Sequence, residues 1–446
     1  MKISLRKFRY GIPLIIKDPS KAMMGVYCFI VLAGFILLSC PWFQKQPILF
    51  IDNLFTATSA LTTTGLTTIS VADNYNFGGQ LLVLLMIQIG GLHYMSFGSL
   101  IMLTRRKKFT KYHENLIKSD FGLPDDFNIY LFLRSVLVFS LIVEAVGAVF
   151  LYFIFSSLKV ANPLWNAIFH SISAFCTAGF SLFNTSLEQF VGHPMLNIVM
   201  FVLCFLGAVG FIVVTDFWQM WTGKQKSVTF TTKIILYFTT LVIAGGTLLL
   251  FMTNSFPEDI SLAERAWVSL FQAMSALTTV GFNTYPISLM SHGSLYLLLI
   301  LIFVGASPAG TGGGVKSTTI VAVLAQMVST LRGKVNVTLM GYQIPQYRLR
   351  LASASFTFYT VILVFGIYLL NLVENQSMFA LIFESASALG TVGLSMGITS
   401  SLTFAGKMII IFLMMLGRIG PLSIGLAFFA EKDGIDDLGW QEDIAL

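Results

Sequence analysis

A short pattern that occurs four times constrains this chain more than any other feature of its sequence. The copies align without gaps and share the form (I/L)-F-x-x-x-S-A-(L/F)-x-T-x-G-(L/F); they are LFTATSALTTTGL from Leu54, IFHSISAFCTAGF from Ile168, LFQAMSALTTVGF from Leu270 and IFESASALGTVGL from Ile382. The shared serines are Ser59, Ser173, Ser275 and Ser387, which recur at intervals of 102 to 114 residues. Self-similarity at a nearly fixed period indicates a repeat architecture, so the chain is predicted to contain four copies of one structural unit.

Each copy lies between two long apolar segments. A helix needs about 20 apolar residues to span the hydrocarbon core of a membrane. Segments of this kind are predicted at 22–42, 79–103, 129–155, 195–219, 233–252, 295–329, 351–373 and 405–429. Hydrophobic residues make up 56% of the chain and charged residues only 11%, whereas soluble domains carry roughly 25% charged residues. This number of charges is too small to cover a water-facing surface. A soluble enzyme is therefore excluded, and the chain is expected to lie in membrane lipid.

The repeated segments themselves are too short to cross a membrane and too apolar for ordinary loops, which favours re-entrant helices. The predicted fold is therefore an all-α polytopic membrane protein with four tandem helix–pore loop–helix repeats, eight transmembrane helices and four re-entrant pore helices, around one pseudo-fourfold pore. The predicted divisions are 1–118 for an N-terminal cytoplasmic segment and repeat 1, 119–228 for repeat 2, 229–345 for repeat 3 with an intramembrane loop at 305–319, and 346–446 for repeat 4 and a C-terminal cytoplasmic tail.

The net charge of +6 follows from the distribution of basic residues. They concentrate in alternate polar stretches, at 1–21, 104–118, 224–233 and 332–350. This alternation is the positive-inside pattern of membrane proteins and predicts that both termini are cytoplasmic. The charge therefore reports membrane topology and requires no nucleic-acid partner.

Each copy of the pattern leaves its short helix through Thr-x-Gly. Non-helical backbone at membrane depth is tolerated only where it is buried in protein or lines a water-filled cavity. Four such segments can direct carbonyl oxygens at a common centre and replace the hydration shell of a cation. The predicted ion-binding residues are Thr62, Thr63, Thr64, Gly65, Cys176, Thr177, Ala178, Gly179, Thr278, Thr279, Val280, Gly281, Gly390, Thr391, Val392 and Gly393. None is a carboxylate, which favours a monovalent cation; the alternative is that Gly and Ser only let helices pack closely.

These four repeats resemble the membrane subunit of the Trk/Ktr/HKT potassium transporter superfamily, most of all the bacterial Ktr type, over about residues 22–430. The resemblance implies a selectivity filter with one glycine per repeat: Gly65, Gly179, Gly281 and Gly393. Plant relatives with serine at the first of these favour sodium, so Gly65 implies potassium. Cys176 and Gly390 depart from the threonine that the other two copies have. The resemblance also implies a multi-pass protein of the bacterial plasma membrane, homodimerisation, and control by a cytosolic nucleotide-binding regulatory ring of the RCK type.

The segment 305–319 interrupts the sixth apolar stretch with a run rich in glycine. Its GTGGGVKST is close to the phosphate-binding form G-x-x-x-x-G-K-(S/T), but Val315 stands where the second glycine is needed and no βα unit surrounds it. A glycine-rich break instead makes a flexible plug. The resemblance likewise implies an intramembrane loop that gates the pore, which matches Gly310, Thr311, Gly312, Gly313, Gly314 and Lys316.

Ionisable residues inside the apolar segments also invite interpretation. Arg418 at the middle of a membrane would cost about 2.5–3.5 kcal/mol, so it is expected to face the interior or a partner. The resemblance implies a positive barrier below the filter, and the alternative is a structural arginine satisfied by backbone carbonyls. Glu144 is structural or protonated, with no role assigned. His170, Gln272 and Glu384 share one position of the pattern and are predicted to anchor the pore helices.

Taken together, the chain is predicted to be a potassium uptake protein with no enzymatic step, in which K⁺ is the transported ion and no cofactor is covalently bound. Whether Na⁺ activates transport is open. The alternative is an alternating-access cation/sodium symporter, but such folds commonly have inverted repeats whereas these repeats run in one topology. A third hypothesis is an ATP-hydrolysing pump.

Overall fold

The computed structural model describes residues 19–92, 129–223, 225–254, 256–257, 260–420 and 424–425. The described part contains fifteen α-helices. They are α1 (Pro19–Leu38), α2 (Phe50–Leu61), α3 (Val71–Asn74), α4 (Phe77–Gly91), α5 (Ile129–Ser157), α6 (Pro163–Phe175), α7 (Pro194–Val209), α8 (Phe211–Trp221), α9 (Phe230–Thr253), α10 (Leu262–Leu277), α11 (His292–Val304), α12 (Ser317–Leu331), α13 (Gln346–Val373), α14 (Met378–Leu389) and α15 (Phe404–Ile419).

Shorter elements connect these helices. Single 3₁₀ turns occur at Pro41–Phe43, Glu188–Phe190, Ile287–Leu289 and Thr399–Ser401. A small antiparallel hairpin between α12 and α13 is formed by β1 (Thr338–Leu339) and β2 (Tyr342–Gln343). The predicted N-terminal cytoplasmic segment up to residue 18, the basic stretch 104–118, the end of the helix predicted at 79–103 and the C-terminal tail lie outside the described residues.

Three helices in the described part are individually long and apolar enough to cross a membrane, namely α5, α9 and α13. They agree with the segments predicted at 129–155, 233–252 and 351–373. The exposed leucine, valine and phenylalanine side chains on their outer faces suit lipid rather than water.

The segment predicted at 195–219 as one helix is two helices, α7 and α8, which meet at an angle of 91°. The break falls at Gly210, whose φ of 96° and ψ of 150° cannot continue a helix. A Cβ atom at this position would clash with the carbonyl oxygen of Pro308. The Phe211 N–H donates to the carbonyl of Ala309 at 2.9 Å. The prediction of a continuous helix was wrong because the bend makes room for the segment that follows α11.

Two other predicted spans are also broken by glycines with positive φ. The interruption predicted within 295–329 is present, since α11 ends at Gly305 (φ 68°) and α12 begins only at Ser317. The segment 305–316 between them, called here the α11–α12 loop, has no regular secondary structure. The prediction of a continuous helix over 405–429 was wrong, because α15 ends before Gly420 (φ 87°).

Four short helices, α2, α6, α10 and α14, hold the first part of each sequence repeat. Each packs against the longer helices that precede and follow it in the chain. Each also contacts one helix from a neighbouring repeat. These pairs are α6 with α4, α10 with α7, α14 with α11, and α2 with α15. The four short helices are thereby connected in a closed ring, in which the first repeat meets the last.

A buried ion pair lies where the ring closes. Lys407 of α15 donates to the Asp52 carboxylate of α2 at 2.7 Å, and the two side chains are only 11% and 8% exposed. Asp52 occupies the first turn of α2, where a negative charge also favours the helix. The neighbouring Asn53 accepts from the hydroxyl of Tyr75 at 2.7 Å. The ion pair therefore joins the first repeat to the last across this seam, whereas the contact of Asn53 with Tyr75 lies within the first repeat.

Candidate functional site

The Thr-x-Gly residues at the ends of the four short helices have an unusual backbone. The threonines have positive φ, at 50° for Thr63, 50° for Thr177, 55° for Thr279 and 48° for Thr391. The glycines also have positive φ, at 92° for Gly65, 66° for Gly179, 90° for Gly281 and 90° for Gly393. A β-branched residue rarely adopts positive φ, so the surrounding structure must hold these segments in place. Four equivalent conformations follow from four equivalent sequences.

The four glycines follow one another around a closed ring. A Cβ atom on Gly65 would lie 2.5 Å from the carbonyl oxygen of Ala178. Each remaining glycine would meet the oxygen of the residue that precedes the next glycine in the same way. These contacts join Gly179 to Val280, Gly281 to Val392, and Gly393 to Thr64. A side chain has no room at any of the four positions, because backbone from the neighbouring repeat fills the space.

The repeated serines hold this ring, a role that the sequence reasoning did not assign to them. The hydroxyls of Ser59 and Ser387 each accept the N–H of the glycine in their own repeat, at 3.1 Å. Ser173 and Ser275 instead donate to the carbonyl that follows the glycine, at 2.8 and 2.7 Å. All four serines are fully buried. The presence of serine in every copy was the available signal, but its bonding could not be read from spacing alone.

A cavity of about 360 Å³ opens on one side of the ring, and all four glycines line it. Most of its other walls are hydroxyl and amide side chains. Among the described residues that line it, Glu188 supplies the one carboxylate, which accepts from Asn283 at 2.6 Å. Burial raises the pKa of Glu188, and the hydrogen bond from Asn283 opposes that effect. The cavity thus leads to the ring through a polar and weakly charged surface.

The α11–α12 loop contacts the threonines of the Thr-x-Gly segments. The hydroxyl oxygens of Thr177 and Thr311 are 3.0 Å apart, and the Gly313 N–H donates to the hydroxyl of Thr279 at 3.0 Å. A Cβ on Gly313 would clash with the hydroxyl of Thr391. The loop therefore touches the threonines of repeats 2, 3 and 4, which brings together two sets of residues that the sequence placed apart.

Two of the four threonine hydroxyls, including that of Thr391 beside Gly313, differ in their hydrogen bonding. Thr63 and Thr391 are fully buried, and their hydroxyl groups have no hydrogen-bond partner within the described ranges. Buried hydroxyls without partners are rare, because each carries the desolvation cost of a polar group. Oxygen atoms of this kind can bind a partly dehydrated cation at low additional cost.

Two cationic side chains, one within the α11–α12 loop and one on α15, donate to backbone carbonyls of this loop. Lys316 donates to the carbonyl of Gly312 at 2.6 Å. Arg418 donates to the carbonyls of Thr311 and Gly90, and its Nε lies 3.4 Å from the hydroxyl of Tyr27. Arg418 therefore makes the backbone contacts expected of a structural arginine, and one of them is to the loop itself.

The segment GTGGGVKST follows a helix, α11, whereas a phosphate-binding loop follows a strand. Its backbone contacts helix ends and threonine hydroxyls instead. The three residues predicted to anchor the short helices do so: His170 pairs with the hydroxyl of Ser181 at 2.9 Å, Gln272 donates to Tyr285 at 3.1 Å, and Glu384 accepts from Ser395 at 2.8 Å. Each partner lies in the segment after the glycine of the same repeat.

The fold and the ring define a polytopic helical membrane protein in which the glycines of four repeats meet at the wall of one polar cavity. Residues 17–435 match the TrkH family, described as cation transport protein, and the chain belongs to this family. The Ktr system potassium uptake protein B of Bacillus subtilis is 33% identical over 416 residues, which cover 92% of each chain. The potassium/sodium uptake protein NtpJ of Enterococcus hirae is 32% identical over 417 residues, covering 91% of this chain and 92% of that protein.

Among solved structures, the potassium transporter TrkH from Vibrio parahaemolyticus matches with a TM-score of 0.74 and 20% identity, covering 95% of this chain and 86% of that chain. This likeness concerns the fold. These findings confirm the family that the repeats resemble and the helical polytopic membrane fold. The family consists of ion transporters, so the chain is not an enzyme, and the ATP-hydrolysing pump is excluded.

Proposed function

We propose that this chain takes up potassium across the cell membrane through the ring formed by Gly65, Gly179, Gly281 and Gly393. The observation that carries the proposal is the closed contact of each glycine with the next repeat, at the floor of a polar cavity. Carbonyl oxygens held at a narrow ring can replace the water around an alkali cation. The names of the similar proteins from Bacillus subtilis and Vibrio alginolyticus, both potassium uptake proteins, support potassium as the substrate.

The proposed filter contains the Thr-x-Gly segments of all four repeats together with the residue before each threonine, so that four tandem repeats surround one pore. Its residues are Thr62 to Gly65, Cys176 to Gly179, Thr278 to Gly281 and Gly390 to Gly393. The two buried, unpartnered hydroxyls of Thr63 and Thr391 support an ion site at the inner end of these segments. Neutral oxygens suit a monovalent ion, because none of these filter residues carries a negative charge that could offset the cost of dehydrating a divalent ion.

The proposed gate is the run Gly310–Gly314 of the α11–α12 loop. It lies against ring threonines of three repeats, where it would obstruct an ion leaving the filter. The loop has no regular secondary structure, and its glycines tolerate backbone conformations closed to other residues, so a second arrangement is accessible at a cost of a few kcal/mol. Lys316 and Arg418 add positive charge beside the loop and bind its carbonyls, so we propose that they make up part of the barrier.

The proposal extends to assembly and topology. We propose that the chain forms a homodimer, that both termini are cytoplasmic, and that a cytosolic nucleotide-binding ring shifts the loop between its arrangements. Support comes from the basic stretches on alternate sides of the predicted spans and from the resemblance to Ktr membrane subunits. A regulator can shift such an equilibrium only by binding one arrangement better than the other.

Isotopic potassium uptake by the purified chain in proteoliposomes tests the proposal, together with rescue of growth at limiting potassium in a transport-deficient strain. We expect uptake down an imposed potassium gradient, with potassium preferred over sodium. The alternating-access symporter predicts instead that potassium accumulates only when a sodium gradient is imposed. The name of the Enterococcus hirae relative includes both ions, so uptake is to be measured with and without sodium. No potassium flux in either condition would overturn the proposal.

A further inference from the structure

The second repeat differs from its neighbours at the residue that precedes Thr-x-Gly. In repeats 1 and 3 this residue is a threonine whose hydroxyl donates to its own helix, from Thr62 to Thr58 at 2.8 Å and from Thr278 to Met274 at 2.7 Å. In repeat 2 it is Cys176, which is fully buried. Its thiol faces outward to other helices instead of bonding to α6.

The thiol meets a buried carboxyl group. Its Sγ lies 3.7 Å from an oxygen of Glu144 on α5 and 3.8 Å from the side-chain oxygen of Gln88 on α4. The Gln88 amide nitrogen is 3.0 Å from both Glu144 oxygens. A carboxyl group with 5% exposure at this depth is costly, so its surroundings must satisfy it. Three side chains from two repeats therefore form one buried polar cluster behind the filter.

The backbone of α4 and α5 packs closely around this cluster. A Cβ at Gly91 would lie 2.6 Å from the Cys176 Sγ, so glycine is required where α4 passes the thiol. The carbonyl of Glu144 accepts from the hydroxyl of Ser171 on α6 at 2.7 Å, which fixes α5 against the short helix. Arg418 donates to Gly90 beside it, so a cation that contacts the α11–α12 loop faces the same end of α4.

We propose that Glu144 is a positioning residue for the filter: Glu144 acts through Cys176 to set the preference for potassium over sodium. The inference rests on the proposed function of the ring. Cys176 is the C-cap of α6 and is followed at once by Thr177 in its strained positive-φ conformation. A side chain held by Glu144 and Gln88 fixes the start of that segment. Small displacements of its carbonyls change the ion–oxygen distances on which discrimination between cations of different size depends.

The test measures the ratio of potassium to sodium uptake in proteoliposomes for Glu144→Gln, Cys176→Ala and the double variant. Glu144→Gln keeps the side-chain shape but replaces one accepting oxygen with a donor. We expect each single variant to lower the ratio by about three- to tenfold, a modest effect of the size seen for residues that act on a site without touching its ligand. The double variant should match the single variants, because both changes break one connection. Glu374→Gln is the matched control, since this buried carboxylate accepts from Thr403 and lies outside the ring contacts.

Several outcomes would overturn the inference. An unchanged ratio in Glu144→Gln with a lowered melting temperature would make Glu144 merely structural. Additive effects of the two substitutions would show that Glu144 does not act through Cys176. If Glu144→Gln fails to fold, an unchanged ratio in Cys176→Ala overturns the inference on its own. Gly65→Ser separates this from the proposed function: if it shifts the ratio while Glu144→Gln does not, only the present inference fails, and if neither shifts it, the filter assignment fails.

Discussion

At the scale of single residues, the ring is built from glycine positions where two separate causes exclude a side chain. Gly65 has a φ of 92°, and a Cβ there would meet the carbonyl of Ala178. The first constraint is conformational strain within the residue, and the second is contact with another repeat. Only the second involves the proposed ion path, so substitutions can separate the two constraints.

Gly65→Ser is expected to weaken discrimination between potassium and sodium by about tenfold, since the strain of a non-glycine residue at positive φ, ~1–3 kcal/mol, adds to the clash that displaces the carbonyl of Ala178. Isotope uptake with each cation measures the ratio. Gly397→Ser is the matched control, because Gly397 has the same φ of 92° with open space around it. Membrane insertion should be intact in both variants. A ratio equal to that of the parent would remove Gly65 from the filter.

Arg418→Gln is expected to raise potassium flux, because the guanidinium both adds positive charge and holds the carbonyl of Thr311 in the loop. Loss of charged hydrogen bonds costs about 1.5–3 kcal/mol each, so some loss of thermal stability should accompany it. Arg265→Gln is a suitable control, since Arg265 also donates to two carbonyls, those of Ile260 and Pro257, but at the start of α10. Equal flux in both variants would assign Arg418 a purely structural role.

At the scale of elements, what could be predicted from the sequence depended on how local the cause was. The break between α11 and α12 was predictable because glycine and proline in the segment itself oppose a helix. The bend at Gly210 was not, because its cause is the α11–α12 loop packing on it from elsewhere in the chain. A lone glycine in an apolar run is commonly tolerated within a helix. The glycines of the ring were predictable by repetition, whereas the hydrogen bonds of Ser59 and its counterparts depend on the folded conformation of the segments that they hold.

Deletion of Gly312 to Gly314 is expected to raise potassium uptake at least about threefold, because it removes the Gly313 contact with Thr279, and a hydrogen bond contributes ~0.5–1.5 kcal/mol. Selectivity should be unchanged, since the ring residues remain. Lys316→Ala should act in the same direction more weakly, by releasing the carbonyl of Gly312. Flux in proteoliposomes without any partner protein is the measurement. A shortened loop that conducts no faster than the parent would show that the loop is not the gate.

At the scale of the whole molecule, the ring is covalently open and must be closed by packing. The chain connects the first three junctions between repeats, but the junction of α2 with α15 joins positions more than 300 residues apart and has no short covalent link. The sequence predicts four similar units, and it does not say what holds the last against the first. Asp52 and Lys407 lie outside the repeated pattern, so repetition could not identify them as a pair.

The ion pair of Asp52 and Lys407 provides a test of whether closure matters for transport. Lys407→Met keeps the length of the side chain but leaves the Asp52 carboxylate buried without its partner, which should destabilise the protein by about 3–5 kcal/mol. Asp52→Asn in the same chain removes the remaining charge, so the double variant should be more stable than Lys407→Met alone. Thermal unfolding of the purified protein measures this difference in stability. The control for losing a cation is Lys45→Met, at an exposed lysine that donates to the carbonyl of Ala72.

The seam is one of the four junctions that close the ring, so Lys407→Met should also lower the ratio of potassium to sodium uptake. The double variant should restore part of this ratio. Equal stability of all four proteins would mean that apolar packing between α2 and α15 closes the ring without the ion pair.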